Sequence, residues 1–334
     1  MPKKSIIFPN GLCFSTKLLS LFLIVSLCLS NVITTANGET QSSVQTTSNP
    51  QRIVVFPLFA EEMLLEMIGP ERIVYVGHAY FENGDEYSPT MELMKHIAGR
   101  NWQNSGNFLE MDPNLVILSG YLSIEYNLIF PELEEDNIPV LFLDTPETID
   151  DIKSILKTLG EVVGALDKAD QMIQDMDAEL RKIAEIVSTI PAEKRVRVAF
   201  FSTDGPHSFQ PYTFNMITNA AGVININGTN TDYYIVDSRN SDLLIMSETL
   251  LTEGNPDLIV YDPAVNDSDG SLLGVFDDYT QRYVESLAVD PILAAAPAIL
   301  HGNVHPLYLH ESQFIVQSVK DLVRLAYPDI SLGE

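Results

Sequence analysis

The sequence predicts an α/β protein of two Rossmann-like lobes, each with a parallel sheet, joined by one long α-helix. Short apolar runs of strand length alternate with helical segments, which is typical of parallel sheets covered by helices on both faces. The alternation stops near the middle of the chain and then begins again. Between the two halves lies the stretch from Ala165 to Ile190, which contains no glycine or proline. At 334 residues the chain is long enough for two such lobes.

The predicted interlobe helix, residues 165–190, has one continuous apolar face. Its apolar side chains recur at steps of one, three and four residues, as on one side of an α-helix. They are Ala169, Met172, Ile173, Met176, Leu180, Ile183, Ala184 and Val187. Such a helix either packs on an ordinary core or connects two lobes rigidly, and its place between two similar halves favours the rigid connection. We therefore expect the lobes to move only slightly relative to one another.

The first 38 residues have the features of a secretory signal peptide, and residues 39–51 those of a flexible tether. Basic residues precede the apolar run Leu18–Leu29, which is long enough for a signal peptide and short for a membrane span. Small residues place the predicted cleavage after Gly38, and the alternative is an uncleaved anchor. The tether is polar and rich in Ser, Thr and Gln. We expect export across the cytoplasmic membrane, to the periplasm or the cell surface.

Both cysteines lie in the predicted signal peptide. Cleavage after Gly38 would remove Cys13 and Cys28, so the mature protein would have no disulfide and no cysteine metal site. Lipid attachment at Cys28 is the alternative, although Leu27 stands close before it where a small residue is expected.

Composition limits the class of partner. The formal net charge is −27, from 46 acidic against 19 basic residues, so we do not expect nucleic-acid binding, which needs a basic surface. An acidic protein suits a partner with a basic face.

The chain has no Gly-x-Ser-x-Gly, P-loop or His-Glu-x-x-His motif, so no enzyme class is indicated. We expect a monomer that is not an enzyme and holds no resident cofactor.

The first lobe, residues 52–145, contains four predicted strands with helices between them. The strands are short apolar runs, several of them β-branched: Arg52–Phe56, Ile73–Val76, Leu115–Leu118 and Val140–Leu143. The predicted helices are Ala60–Ile68, Met91–Ala98 and Ile124–Leu133.

The connection, residues 146–191, begins with a predicted helix from Thr148 to Val163, which leads into the interlobe helix. The second lobe, residues 192–330, repeats the pattern of the first. Its predicted strands are Val196–Phe201, Leu258–Tyr261 and Val304–Leu309, its helices Phe214–Ala221, Ser247–Thr252, Tyr279–Ala288 and Gln313–Tyr327, and Asn266–Leu273 is a predicted loop. The segments Phe108–Leu118 and Leu250–Tyr261 both place an Asp/Asn-Pro-Asn/Asp turn before a strand, one on each side of the interlobe helix, which supports two similar lobes.

Several segments share their order and spacing with a known protein class. Beside the leader and the long helix after LGEVVG (Leu159–Gly164), they are RIVVFPLFAEEMLLEMIGPERIVYVG (Arg52–Gly77), MDPNLVILS (Met111–Ser119), SETLLTEGNPDLIVY (Ser247–Tyr261) and VHPLYLHESQFIVQSVKDL (Val304–Leu322). Together they resemble the substrate-binding proteins of ABC importers with one rigid interlobe helix, which carry iron–siderophore complexes, haem or cobalamin. The resemblance implies capture of a metal chelate, either a ferric siderophore or a corrinoid-like molecule, and its delivery to a permease dimer.

The resemblance also implies a cleft between the lobes, at the carboxyl ends of the strands, where open parallel sheets bind ligands. Aromatic rings on the loops after the strands would pack on a bulky chelate, and His or Tyr could ligate an exposed metal. The candidate ligand-binding residues are Phe56, Pro57, Phe59, His78, Tyr80, Phe81, His207, Phe209, Tyr212, Arg239, Tyr308 and His310, with Leu58, Gln210 and Gln313 beside them. The alternative for the aromatic residues is that they close the core beneath the cleft. Only Arg100 and Arg239 stand in loops that could reach the cleft, which favours a neutral ligand over an anionic one.

Docking onto the permease uses one surface glutamate on each lobe in the resembled class. Glu248, upstream of Pro256, matches the second-lobe position. The first-lobe position is occupied by Gly106, so Glu92 or Glu110 would have to replace the glutamate there. The alternative for Glu248 is a solvated acid near a helix N-terminus.

Two other ligands remain open for the same fold. A free divalent metal, zinc or manganese, would need three or four converging ligands, and His78, His207 and His310 with Asp204 could supply them. Haem is the second alternative. The aromatic character of the loops favours a chelate over a bare ion.

Overall fold

Two parallel sheets, separated along the chain by a pair of consecutive helices, form the main part of what the structure describes. The computed structural model describes residues 32–34, 49–77, 88–97, 99–100, 108–119, 130–201, 211–227, 254–261, 265–266, 272–274, 289 and 293–333. Within them the predicted fold class, two α/β lobes with parallel sheets and a long connecting helix, is confirmed.

The first sheet has six parallel strands in the order β1-β6-β5-β2-β3-β4. The strands are β1 Val32–Thr34, β2 Ile53–Val55, β3 Ile73–Val76, β4 Gly99–Arg100, β5 Leu115–Ser119 and β6 Val140–Leu143. The four predicted strands are confirmed to within one residue at each end. The edge strand β1 lies in the predicted signal peptide, so cleavage after Gly38 would remove it from the sheet.

The helices of the first lobe are α1 (Leu58–Ile68), α2 (Met91–Met94) and α3 (Phe130–Glu135). Pro57 begins α1, because its carbonyl accepts the amide hydrogens of Ala60 and Glu61, each at 3.0 Å. Helix α2 is shorter than the predicted Met91–Ala98, because residues 95–97 are not helical, whereas α3 ends two residues beyond the predicted Leu133.

Two consecutive helices, α4 (Ile149–Val163) and α5 (Leu166–Val187), connect the lobes. Thr148 begins α4 with a capping box: its hydroxyl accepts from the amide of Asp151 at 3.1 Å, and the Asp151 carboxylate accepts from the amide of Thr148 at 2.9 Å. Gly164, at φ 70°, ends α4. The 22 residues of α5 span about 33 Å, a few residues shorter at its two ends than predicted.

The second sheet has four parallel strands in the order β12-β9-β7-β8, and a short antiparallel hairpin, β10-β11, stands apart from it. The strands are β7 Arg197–Phe201, β8 Ile224–Asn225, β9 Leu258–Tyr261, β10 Val265–Asn266, β11 Leu272–Gly274 and β12 Val304–Pro306, and the helices are α6 Pro211–Ala220, α7 Pro297–Leu300 and α8 Ile315–Ala326. The segment Asn266–Leu273, predicted as a loop, thus contributes to a hairpin. The predicted helices Ser247–Thr252 and Tyr279–Ala288 lie outside the described residues.

The long helix α5 packs against α4 on one side and against α6 and α8 of the second lobe on the other. Five members of its predicted apolar face are buried, Ala169, Met172, Met176, Ile183 and Val187, while Ile173 and Leu180 are partly buried. The inclusion of Ala184 in that face was wrong, because this residue is exposed. One continuous apolar core runs from the first sheet through α5 to the second lobe.

Ion pairs fix α5 to three different helices. Lys168 of α5 contacts Glu66 of α1 at 3.2 Å, Asp177 of α5 contacts Lys153 of α4 at 2.6 Å, and Glu179 of α5 contacts Lys320 of α8 at 2.6 Å. These contacts connect α5 with both lobes, as a rigid interlobe helix requires. No helix among the described residues is both long and apolar enough to cross a membrane.

Candidate ligand site between the lobes

The predicted ligand residues that follow β2 lie in the core of the first lobe. The ring of Phe56 is 4% exposed and packs on Phe108 and Tyr75, with ring centroids 5.4 and 5.8 Å away. Phe59 is 5% exposed, and Pro57 is buried at the start of α1. These three residues therefore offer little surface to a ligand. Their burial agrees with the alternative role, in which they close the core beneath the cleft.

Glycine is required at position 77 because the chain after β3 passes directly over the chain after β2. A Cβ atom on Gly77 would lie 2.8 Å from the backbone Cα of Phe56. The Gly77 amide donates to the Val55 carbonyl at 2.8 Å. The chain that carries the predicted residues His78, Tyr80 and Phe81 thus starts from a fixed point beside Phe56.

Several predicted site residues lie outside the described part of the chain. They are His78, Tyr80, Phe81, Asp204, His207, Phe209, Gln210, Arg239 and Glu248. Their ligand-binding and docking roles stay predictions. Of the first-lobe docking candidates, the described residues Glu92 and Glu110 are both exposed.

In the second lobe, two predicted aromatic residues stand together after β12. Tyr308 is partly buried and His310 is 7% exposed, and their rings are stacked with centroids 6.3 Å apart. The ring of Phe314 meets His310 edge-on at 6.0 Å, which fixes the orientation of the imidazole. Tyr212, at the start of α6, is 39% exposed.

A pocket of about 400 Å³ lies between the two lobes and includes Tyr308 and His310. The first lobe contributes residues around the start of α2, and the second lobe contributes the chain after β12 and one side of α8. The lining residues are Ser88, Pro89, Met91, Glu92, Tyr308, His310, Gln317, Ser318 and Asp321. The volume lies within the usual range for small-molecule sites.

The two carboxylates that line this pocket have cationic partners. Glu92 contacts Lys95 at 2.8 Å, and Asp321 contacts Arg324 at 2.7 Å and accepts from Gln317 at 2.8 Å. Because each charge is compensated locally, the lining favours neither a strongly anionic nor a strongly cationic ligand. Among the described residues, no three or more His, Cys, Asp or Glu side chains are grouped so that they could hold a metal ion.

A buried polar cluster joins the two lobes beside the pocket, and Glu62 of α1 is its centre. The carboxyl group of Glu62, 1% exposed, accepts from the hydroxyl of Ser88 at 2.7 Å and from that of Ser312 at 2.5 Å. His310 Nδ1 lies 3.5 Å from the same carboxyl group, and Gln313 Nε2 donates to the Glu62 carbonyl at 3.3 Å. Ser88 belongs to the first lobe, whereas His310, Ser312 and Gln313 belong to the second. We call Glu62, Ser88, His310, Ser312 and Gln313 the interlobe polar cluster.

Glu311 extends this cluster, and its surroundings change the pKa of its carboxyl group. Burial raises the pKa of its carboxyl to about 7, the charge of Glu62 raises the pKa further, and a hydrogen bond from the Thr213 hydroxyl at 2.7 Å opposes the change. At neutral pH this carboxyl is therefore divided between its neutral and ionised forms.

Sequence reasoning missed the interlobe polar cluster, apart from His310 and Gln313. One signal was present: Glu61 and Glu62 interrupt the apolar run of α1, and both are buried. A carboxyl group in a buried helix needs hydrogen-bond donors. The sequence did not show that Ser312, far along the chain, supplies one of them.

Comparisons with known proteins agree with this architecture. The family model described as periplasmic binding protein matches residues 62–307. No curated protein matches the sequence.

Solved structures with the same fold are distant in sequence. A periplasmic binding protein from Veillonella parvula has a TM-score of 0.64 at 17% identity, with 85% of this chain and 93% of that chain covered. The periplasmic heme-binding protein RhuT from Roseiflexus has a TM-score of 0.61 at 18% identity, with 84% and 98% covered. The molybdate-binding protein MolA from Haemophilus influenzae has a TM-score of 0.62 at 16% identity, with 86% and 90% covered.

Proposed function

The chain belongs to the family of periplasmic binding proteins, and we propose that it is the extracytoplasmic substrate-binding protein of an ABC importer. It captures a metal chelate, a ferric siderophore or a corrinoid-like molecule, between its lobes and delivers it to a permease dimer. The observation that carries this proposal is the pocket lined by both lobes, with Tyr308 and His310 at the carboxyl end of a parallel sheet. Parallel sheets bind ligands at that edge.

The character of the pocket supports a chelate that is close to neutral. The aromatic ring of Tyr308 provides a flat apolar surface, and the carboxylates of Glu92 and Asp321 are already paired with cations. An anionic ferric catecholate would require several fixed cations, and the described lining residues include no Lys or Arg.

Haem is a second candidate ligand, because three solved structures with this fold are named as heme-binding proteins. A free divalent metal is the third candidate. It would rely on His78, His207 and Asp204, which lie outside the described residues, together with His310.

The predicted signal peptide and tether support export and a place outside the cytoplasmic membrane. The acidic surface supports docking onto a basic permease face, for which Glu248 is the second-lobe candidate. A function in binding and delivery accounts for these features without a chemical step, so we propose that the protein is not an enzyme.

Ligand titration tests the proposal. The mature protein, from Glu39 onwards, is first examined by absorbance for a co-purified haem or corrinoid. It is then titrated, with tryptophan and tyrosine fluorescence as the signal, with cobalamin, haem, a ferric hydroxamate, a ferric catecholate, zinc and manganese. Saturable binding of a neutral chelate supports the proposal. Tight binding of bare zinc or manganese that His310→Ala abolishes, without binding of any chelate, would contradict it.

A further inference from the structure

We infer that Glu62 is a positioning residue that holds the two lobes at a fixed separation across the ligand pocket, by accepting a hydrogen bond from Ser312 of the opposite lobe. The inference deepens the proposed function, because it concerns the width of the same pocket. Its test needs no ligand, so its failure would leave the proposed function standing.

The hydrogen bonds of Glu62 reach residues of both lobes. Its two carboxyl oxygens have different partners: Oε1 accepts from Ser88 of the first lobe, and Oε2 accepts from Ser312 of the second lobe. The backbone carbonyl of Glu62 accepts from Gln313, also of the second lobe. One residue of α1 thus carries contacts within its own lobe and across the gap.

Each hydroxyl of this pair is fixed by its own lobe. Ser88 Oγ lies 3.0 Å from Thr90 Oγ1 and accepts from the Thr90 amide at 3.3 Å. Ser312 Oγ accepts from the Phe314 amide at 3.3 Å, just before α8 begins at Ile315. Because Ser312 is tied to the start of α8, its hydrogen bond to Glu62 connects α1 of one lobe with α8 of the other.

The same residues form part of the pocket wall. Ser88 and His310 line the pocket, and so does Ser318, whose hydroxyl accepts from the His310 amide at 3.2 Å. An increase in the separation of Glu62 and Ser312 would therefore move the two walls of the pocket apart. The group is buried, so no water replaces a lost donor without opening this interface.

The contact of Glu62 with Ser312 is separate from the contacts that the long helix makes with the two lobes. The ion pairs and apolar face of α5 hold it against α1, α4, α6 and α8, and Glu62 faces Ser312 at a separate contact beside the pocket. Two separate connections between rigid bodies restrict rotation more than one does. The second connection depends on the side chains of Glu62, Ser312 and Gln313.

The chain offers a matched pair of variants for the test. Ser312→Ala and Ser88→Ala each remove one buried hydroxyl that donates to the same carboxyl group of Glu62, one across the lobes and one within a lobe. Spin labels at Glu135→Cys and Leu300→Cys, one exposed position on each lobe, report the interlobe distance. The mature chain has no cysteine of its own, so labelling is specific.

We expect Ser312→Ala to broaden the interlobe distance distribution, measured by double electron–electron resonance without ligand, and to shift it by a few ångströms. Ser88→Ala should lose comparable stability but keep the narrow distance distribution of the wild type. Ser312→Thr keeps a hydroxyl at this position and should therefore also show the narrow distribution. If Ser312→Ala fails to fold, Gln313→Ala removes a different hydrogen bond between the lobes, the one from Gln313 Nε2 to the Glu62 carbonyl, and should broaden the distribution in the same direction.

The inference is overturned if the folded variants Ser312→Ala and Gln313→Ala both keep the wild-type distribution. It is also overturned if Ser88→Ala broadens the distribution as much as Ser312→Ala does, because the effect would then follow from lost stability and not from the interlobe contact.

Discussion

Replacement of Glu311 by Gln should change how stability depends on pH, and in a direction that the structure fixes. Burial and the charge of Glu62 raise the pKa of this carboxyl to about 7, against an ordinary value of 4.5. The folded protein therefore holds the proton more tightly than the unfolded chain does. As pH rises from about 4.5 to about 7 the free energy of unfolding falls, and above that range the loss is complete.

The magnitude follows from the two pKa values. At 1.36 kcal/mol for each pKa unit, ionisation of Glu311 costs about 3 kcal/mol of stability at pH 8. Glu311→Gln removes this cost while its amide oxygen can still accept from Thr213. The variant should therefore match the wild type near pH 4 and exceed its stability by up to about 3 kcal/mol at pH 8.

Urea denaturation followed by circular dichroism between pH 5 and pH 8 measures this difference. Glu179→Gln is the control, because hydrogen bonds from Lys182 and Lys320 lower the pKa of Glu179 to about 2. Glu179 is almost fully ionised from pH 6 upwards in both folded and unfolded protein, because its ordinary pKa is 4.5, so the effect of its replacement should not vary between pH 6 and pH 8. Equal pH dependence of Glu311→Gln and the wild type would refute the reasoning.

Four further substitutions, of which Gly302→Ala is a control, test how α5 packs, how α4 begins and how the core is filled, and each is measured by urea denaturation. Gly222 and Gly302 both have a positive φ of 66°, which is unfavourable for alanine, but only a Cβ atom at position 222 would lie against Val187 of α5, at 3.0 Å. We expect Gly302→Ala to lower the free energy of unfolding by about 1 kcal/mol, and Gly222→Ala to lower it by about 2 kcal/mol or more. An equal loss for both would contradict close packing of α5 on the second lobe. Thr148→Ala removes the capping box of α4 and should cost about 1 kcal/mol, and no loss would mean that the cap is not formed in solution. Met176→Ala leaves a cavity in the continuous core and should cost about 3 kcal/mol with one unfolding transition retained, whereas a loss below 1 kcal/mol would contradict its burial.

The strands and the long helix could be predicted from the sequence because their signals are local. Runs such as Ile73–Val76 and Leu258–Tyr261 are apolar throughout, as strands buried on both faces require, and each begins and ends where the sequence indicates. The repeat of apolar residues along α5 likewise needs no knowledge of what packs against it. The two-residue strands β4 and β8 had no such signal, because they contain too few residues to show a period.

The resemblance to a class of importer binding proteins was also available from the sequence, through the order of its segments. Membership of the periplasmic binding protein family confirms the coarse part of that interpretation. The choice of chelate depends also on loops outside the described residues, and it stays a prediction.

The candidate site was predicted less well, because burial and contacts between distant residues decide it. Phe56 and Phe59 follow a strand, as ligand-binding residues do, but their rings turn into the core and not towards the cleft. Tyr308 and His310 also follow a strand, and these two residues do line the pocket. The partners of Glu62 depend on how two lobes meet, which no local pattern encodes.

The most direct test of the central claim is a titration of the mature protein and of Tyr308→Ala with the neutral chelates cobalamin and a ferric hydroxamate. Tyr308 lines the pocket between the lobes and provides its main aromatic surface. If a chelate binds there, the wild type should saturate with one molecule for each chain, and Tyr308→Ala should bind about tenfold more weakly, which corresponds to about 1.4 kcal/mol. Equal affinity of the two proteins, or no saturable binding of either chelate, would contradict a chelate site in this pocket.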